Sequence, residues 1–267
     1  MIQLRLFGGA SRPPQRCRFY LGTHLPTFFV RTGVHLFISR RRLFDYKTFK
    51  RARGRWSLDS GGFTELSMFG KWTLEPQAYV AEVRRYAAEI GSMDWAATQD
   101  WMCEPWITEK TGLTVEEHQR RTVASYLKLL RLAPDLPWSP AVQGWHPNDY
   151  LRCVDMYRAE GIDLPALPVV GVGSVCRRQH ADEAVSIFES LYDKGIKLHG
   201  FGLKLEGLRR AAHLLASADS LAWSFGARKD RKNGSLTPHC RHPGSCANCL
   251  HYALQWRERV TSIDFVE

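Results

Sequence analysis

Three polar residues in this chain close short apolar runs: Asp59 in RWSLDSGGF, Asp100 in MDWAATQD and Gln143 in PAVQG. A polar side chain at the tip of a buried strand has two uses. It can build a tight turn, where Asp and Gly are ordinary residues. It can also be a reactive or ligand-reading group, backed by glycines that let a ligand approach the backbone. Asp59, followed by Ser60, Gly61 and Gly62, suits either use. Glycine pairs end two further runs, Gly171 and Gly173 in LPVVGVGS and Gly200 and Gly202 in KLHGFGLK. Asp219 differs, because it opens the run DSLAWSF. Either its strand starts earlier, near Leu214, or Asp219 lies on a loop.

A second group has metal-ligand spacing. Of the seven cysteines, Cys240, Cys246 and Cys249 crowd into TPHCRHPGSCANCLHYA. Two cysteines separated by two residues at the start of a helix are a common zinc arrangement. With His242 the segment reads C-x-H-x3-C-x2-C and offers four donors to a structural zinc; His239 and His251 are rivals for the fourth place. Cys17, Cys103, Cys153 and Cys176 are scattered and read as reduced, buried residues.

The elements that must position these groups follow from the apolar pattern. Eight short runs read as strands, near Phe19, Leu36, Leu58, Ala96, Val142, Val169, Phe201 and Ala222. Helical periodicity alternates with the later ones. Glu75 to Ile90 puts Tyr79, Val83, Tyr86 and Ile90 on one face, with Gly91 to end it. Thr114 and Glu117 form a capping-box pair ahead of a second helix. Further helices are expected over Pro147 to Glu160, Ala181 to Lys194, Leu205 to Ser217 and Cys246 to Arg259. Strands alternating with helices predict a parallel sheet: an irregular (β/α)8 TIM barrel, with 238–251 as a C-terminal zinc-binding subregion of a single domain spanning 1–267. A doubly wound open sheet is the alternative. The first two connections lack a helical pattern, so the barrel is irregular there. Arg40 to Gly54 and Ala227 to Gly244 read as the mobile loops. In such barrels reactive groups gather at the C-terminal ends of strands, which is where Asp59, Asp100 and Gln143 fall.

The chain has 267 residues, 44% hydrophobic and 24% charged, an ordinary soluble composition. No apolar run is long enough to cross a bilayer, and the first residues lack the apolar core of a signal peptide, so the expectation is a cytoplasmic protein with no membrane partner. The net charge is +10. It is concentrated in Arg40, Arg41, Arg42, Lys47, Lys50, Arg51, Arg53 and Arg55, and again in Arg228, Lys229, Arg231 and Lys232. Two such clusters point to a polyanion, most simply nucleic acid.

The order DSGGF, TQD, VQG, GVG, GFG, DS…AR and a cysteine cluster resembles the queuine and archaeosine tRNA-guanine transglycosylases, zinc-bearing (β/α)8 barrels that exchange guanine for a 7-deazaguanine. The likeness runs from about Arg55 to Cys249. The stretches FYLGTH, FISRRRL and RWSLDSGGFTELSMFGKWT look closer to the DNA-directed branch of that superfamily, the deazapurine DNA modification proteins of bacteriophages and bacterial modification clusters. The resemblance implies residue roles. Asp219 matches the nucleophile, since ADSLAWSFGAR is similar to the archaeosine enzymes' FDSAAYALYAR. Asp59, with Ser60 and Gly61, matches the general acid/base segment. Asp100 matches the residue that reads the guanine edge, Gln143 and Gly144 the base pocket, and Gly171 and Gly173 the loop lining it. There are departures. Thr64 stands where the family has Gln, Asp100-Trp101-Met102 replaces Asp-Glu-Cys, the Pro-Thr-Arg segment is missing, and no His follows His251 to be the family's downstream zinc ligand.

The resulting expectation is a DNA-guanine transglycosylase working through a covalent Asp–deoxyribose intermediate. The partners would be DNA and a 7-deazaguanine base, with a helper protein or a homodimer left open. The same chemistry on tRNA and a non-catalytic nucleic-acid-binding subunit are the alternatives. Trp101, Trp145, Trp223 and Phe225 are candidates to stack on bases.

Overall fold

The computed structural model describes residues 17–175, 181–232, 246–262 and 265–266. Ten strands form one parallel sheet: β1 (Cys17–Thr23), β2 (Leu36–Ser39), β3 (Trp56–Asp59), β4 (Met93–Ala97), β5 (Trp138–Ser139), β6 (Ala141–Val142), β7 (Val170–Val172), β8 (Leu198–Gly200), β9 (Leu215–Ser220) and β10 (Phe265–Val266). The path runs β5-β4-β3-β2-β1-β9-β8-β7-β6, and β10 adds to the start of β1. The two ends of the path are neighbours in sequence, separated by Pro140 alone. Proline has no N–H to give a ladder. The segment before it pairs with β4, while the Pro140 carbonyl already accepts from Gly171 on β7. One five-residue stretch therefore serves both neighbours, and the sheet nearly closes as a barrel with eight strand positions. The open-sheet alternative does not hold.

Among the described residues ten helices accompany the sheet: α1 (Phe28–Arg31), α2 (Gly62–Phe69), α3 (Pro76–Ile90), α4 (Pro105–Thr111), α5 (Val115–Leu132), α6 (Pro147–Ala159), α7 (Ala181–Tyr192), α8 (Leu205–Ala211), α9 (Ala222–Lys232) and α10 (Leu250–Thr261). The long ones follow their sequence signals. Helix α3 has proline in its first turn and buries Tyr79, Val83, Tyr86 and Ile90. Helix α5 starts where the Thr114 hydroxyl accepts the Glu117 N–H at 3.1 Å. Among the described residues no helix is long and apolar enough to cross a membrane.

The first two connections are irregular, as expected: α1 has one turn and a 3-10 turn at Arg40–Arg42 follows β2. The outer face of β1 is covered instead from the other end of the chain. Helix α10 packs there, with Trp256 6.0 Å from Phe19 between ring centres. The Arg40–Gly54 segment is tethered: Arg40 is buried and forms two hydrogen bonds to Glu82 at 2.8 and 3.0 Å.

Two expected elements are corrected. The helix expected over Leu205 to Ser217 ends at Ala211, and after one 3-10 turn Leu215 begins a strand. Of DSLAWSF only Asp219 and Ser220 belong to a strand, the end of β9; Trp223 and Ala227, four residues apart, are on the buried side of α9. Asp219 therefore stands at the C-terminal end of β9. Helices α2 and α4 had not been expected.

Candidate active site

A cavity of about 570 Å3 opens at the C-terminal ends of the strands. Asp59, Asp100, Gln143, Gly173 and Asp219 all line it, together with Gly61. Residues spread over most of the sequence thus meet because parallel strands end on one face.

Asp59 ends β3. Burial raises its pKa against the opposing effect of the Ser39 hydroxyl and the Gly61 N–H, and the negative charge of Asp219 adds to the rise. The two glycines behind it have separate reasons. Gly61 has φ +83, a left-handed conformation that glycine adopts without strain, and a Cβ there would press on Arg41 Cγ at 3.0 Å. At Gly62 a Cβ would lie 3.0 Å from Asp100 Oδ1. The glycines therefore make room for an arginine and for the next carboxylate.

Asp100 follows β4. Gln143 Nε2 donates to its Oδ2 at 2.5 Å, and Ser60 Oγ donates to Oδ1 at 3.4 Å. Burial, reinforced by the charge of Asp59, lifts its pKa to about 7. Gln143 is fully buried just beyond β6. Its Oε1 lies 2.9 Å from the Ser174 hydroxyl, whose one proton is shared with Glu104 Oε2 at 2.8 Å. The same Ser174 oxygen accepts the Cys103 N–H at 2.8 Å. Ser174 sits at φ +55, uncommon for a non-glycine residue. A Cβ on Gly173 would collide with the Gln143 amide.

Asp219 is 5% exposed. Its Oδ1 accepts from the Gly202 N–H at 2.9 Å and faces His199 Nε2 at 3.2 Å. His199 Nδ1 meets Ser217 Oγ at 2.8 Å. A carboxylate only accepts, so the hydrogen belongs on Nε2 and Nδ1 accepts from Ser217. Phe37, Trp95 and Phe201 surround the His199 ring at 5.4, 4.7 and 4.8 Å between centres. Among the described residues Asp219 Oδ2 has no hydrogen-bond partner.

Not every expected residue lines the cavity. Ser60 is buried and acts on Asp100. Gly144 lies behind the wall, where a Cβ would come 2.7 Å from Asp149 Cβ and keep α6 away. Gly171 makes room for the Phe201 ring inside the barrel. Trp101, Trp145, Trp223 and Phe225 are not in the wall either; its aromatic side chains are Phe37, Phe63 and Phe201. Trp223 donates its indole N–H to the Gly22 carbonyl at 2.8 Å, and Trp101 lies under the Arg121 guanidinium at 4.6 Å. His199 and Ser174 escaped the sequence reading. The one signal for His199 is its period-2 relation to Phe201, which puts both on the inner face of β8 and the loop after it.

Of the expected zinc ligands, Cys240 and His242 lie outside the described residues. Cys246 and Cys249 bracket a 3-10 turn at the start of α10, with the Cys249 N–H donating to the Cys246 carbonyl at 3.0 Å, and neither is in a disulfide. Both are half-buried. Among the described residues no group of three or more His, Cys, Asp or Glu side chains could hold a metal.

The family described as DpdA, DeoxyPurine in DNA protein A, matches the chain over residues 15–266. No curated protein matches it.

Proposed function

The chain belongs to the DpdA family, which works in deazapurine modification of DNA, and from that premise we propose that it is a DNA-guanine transglycosylase. It would exchange guanine in DNA for a 7-deazaguanine derivative through a covalent Asp219–deoxyribose intermediate. The observation that carries this reading is that Asp59 and Asp219 line one cavity that also holds the hydrogen-bonded pair Asp100 and Gln143.

The target guanine is flipped out of the helix, at a cost of a few kcal/mol. Ionised Asp100 accepts from the ring N–H and the amino group of its edge. Gln143 has one amide hydrogen committed to Asp100 and offers the other to the base carbonyl. Asp219 Oδ1 is held by Gly202 and His199, so Oδ2 attacks the anomeric carbon. The glycosidic bond breaks and its electron pair leaves with the base, which takes a proton from Asp59. The raised pKa of Asp59 keeps that proton available. The incoming deazaguanine then gives its ring N–H proton to Asp59, its nitrogen forms the new glycosidic bond, and the Asp219–sugar bond breaks. Two inversions leave the natural configuration. Cys240, His242, Cys246 and Cys249 would hold a structural zinc, which ties the start of α10 to the segment before it and takes no part in these steps.

The test supplies radiolabelled guanine or a 7-deazaguanine with duplex DNA, single-stranded DNA and tRNA in parallel. Label is expected in DNA. Label entering tRNA alone overturns the DNA assignment, and label in none of them favours a binding subunit. Asp219→Asn is expected to abolish the covalent adduct and to lower exchange by at least about a thousandfold, as loss of a nucleophile does. Full activity in that variant removes the assigned role.

A further inference from the structure

The two carboxylates divide the rim of the cavity into two unlike arcs. Going round the barrel from Asp59 on β3 through β4, β6, β7 and β8 to Asp219 on β9, the wall carries Asp100, Gln143, Gly173, Ser174 and Phe201. Among the described residues Asp100 is the one charged group of this arc, set among polar Gln143 and Ser174 and apolar Met102, Val175 and Phe201, a lining that fits a flat base. The other way round, through β2 and β1, the wall carries Ser39, Arg41 and Arg42, then Thr23 and His24. Among the described residues this shorter arc holds no carboxylate.

Its cations are not equivalent. Arg41 is fixed: its guanidinium bonds the buried Glu65 carboxylate at 3.0 Å, and Glu65 is in turn held by the Thr73 N–H and hydroxyl at 2.8 and 2.6 Å. The Arg41 stem lies over Gly61, next to the Asp59 strand tip. Arg42 is exposed and has no carboxylate within ion-pair distance among the described residues. His24 shares the cavity wall with both arginines, and its pKa is lowered, by burial first and then by the charges of Arg42 and Arg228. An arginine without a carboxylate partner beside a cavity suits an anion.

We infer that the arc formed by the segments after β1 and β2 binds a phosphodiester of the target strand, next to the nucleotide being exchanged, with Arg42 as its principal contact and Arg41 and His24 beside it. This rests on the proposed function for the identity of the nucleotide. A nucleotide has three parts, and the rim would sort them: base into the first arc, sugar between Asp59 and Asp219, phosphate into the second. Arg42 would thereby fix which way the anomeric carbon faces, by a contact remote from the bond that changes.

The test is a binding measurement. The probe is a fluorescent single-stranded oligodeoxynucleotide with one guanine in a thymine tract, and each linkage flanking the guanine is replaced in turn by a neutral methylphosphonate. For the wild type, one of the two replacements is expected to weaken binding about tenfold, the size of one charge-assisted hydrogen bond. Arg42→Gln is expected to weaken binding of the unmodified probe by a similar factor and to be insensitive to that replacement. Arg42→Lys is expected to recover part of both. Among the described residues the exposed Arg42 side chain makes no hydrogen bond or ion pair, so these variants are expected to fold. If neither replacement affects the wild type, or if the penalty is as large in Arg42→Gln as in the wild type, the site is overturned. Base exchange is scored separately. Its failure with the linkage effect intact removes the transglycosylase reading and leaves the phosphate site; exchange without the linkage effect removes the phosphate site alone.

Discussion

Asp100 lies among buried groups and close to Asp59, and its elevated pKa of about 7 measures the free energy that this position costs. An unfolded aspartate releases its proton near 3.8, so between about pH 4 and 7 the folded chain holds a proton that the unfolded chain has lost. Stability from this group is therefore lost as pH rises through that window. Asp100→Asn removes the dependence. Its thermal midpoint is expected to lie a few degrees above wild type at pH 8, with the gap closing towards pH 4. A gap that stays constant with pH contradicts the assignment. Reading the guanine edge needs the ionised form, so wild-type base exchange is expected to rise through about pH 7 and the Asn variant to be poor throughout. Asp59, Asp100 and Gln143 were legible in the sequence because each lies at or within three residues of the end of a short apolar run. His199 was not, because its contacts with Ser217 and Asp219 join two strands and no local pattern encodes them.

Among the elements, the corner after β7 carries the tightest steric demand. A methyl group at Gly173 would collide with the amide of Gln143, which donates to Asp100. Gly173→Ala is expected to cost about 1–3 kcal/mol in denaturant unfolding, the usual range for overpacking. It should also weaken guanine binding by pushing Gln143 out of place, and unchanged affinity would show that Gln143 does not read the base. Strand positions were readable from short apolar runs ending in glycine or a polar residue. Boundaries failed where one apolar run covered two elements. LAWSF carries enough hydrophobic residues for a strand, yet Ser220 ends the pairing with β1 and the chain turns into α9. Helix α2 was hidden because its first residues, Gly62 and Phe63, belong to a segment that reads as a turn. The seam at Pro140 was equally hidden, since a proline inside a short run argues for an edge, and only the closed path reveals why it is tolerated.

For the whole molecule, in the proposed function the charge of +10 would supply a general attraction for nucleic acid and the cavity the discrimination. The zinc proposal also belongs at this scale, because Cys246 and Cys249 precede the helix that covers β1. Gently purified protein is expected to contain one zinc per chain. Chelation or Cys246→Ser is expected to lower the thermal midpoint by several degrees without changing the mass of the covalent adduct. Protein that is free of zinc and equally stable with chelator refutes the site. Alternation predicted a parallel sheet, with a barrel ahead of an open doubly wound sheet, and the irregular start was legible only as a missing pattern.

That irregular start has a consequence for synthesis. β1 pairs with β2 on one side, but its other neighbour is β9, its outer cover is α10 and its extension is β10. As the chain leaves the ribosome, β1 can pair with β2 early, but its other edge and its apolar outer side stay bare until β9 and α10 have emerged. Nascent chains halted before residue 250 should therefore recruit chaperones and yield to protease, however much of the cavity they already encode.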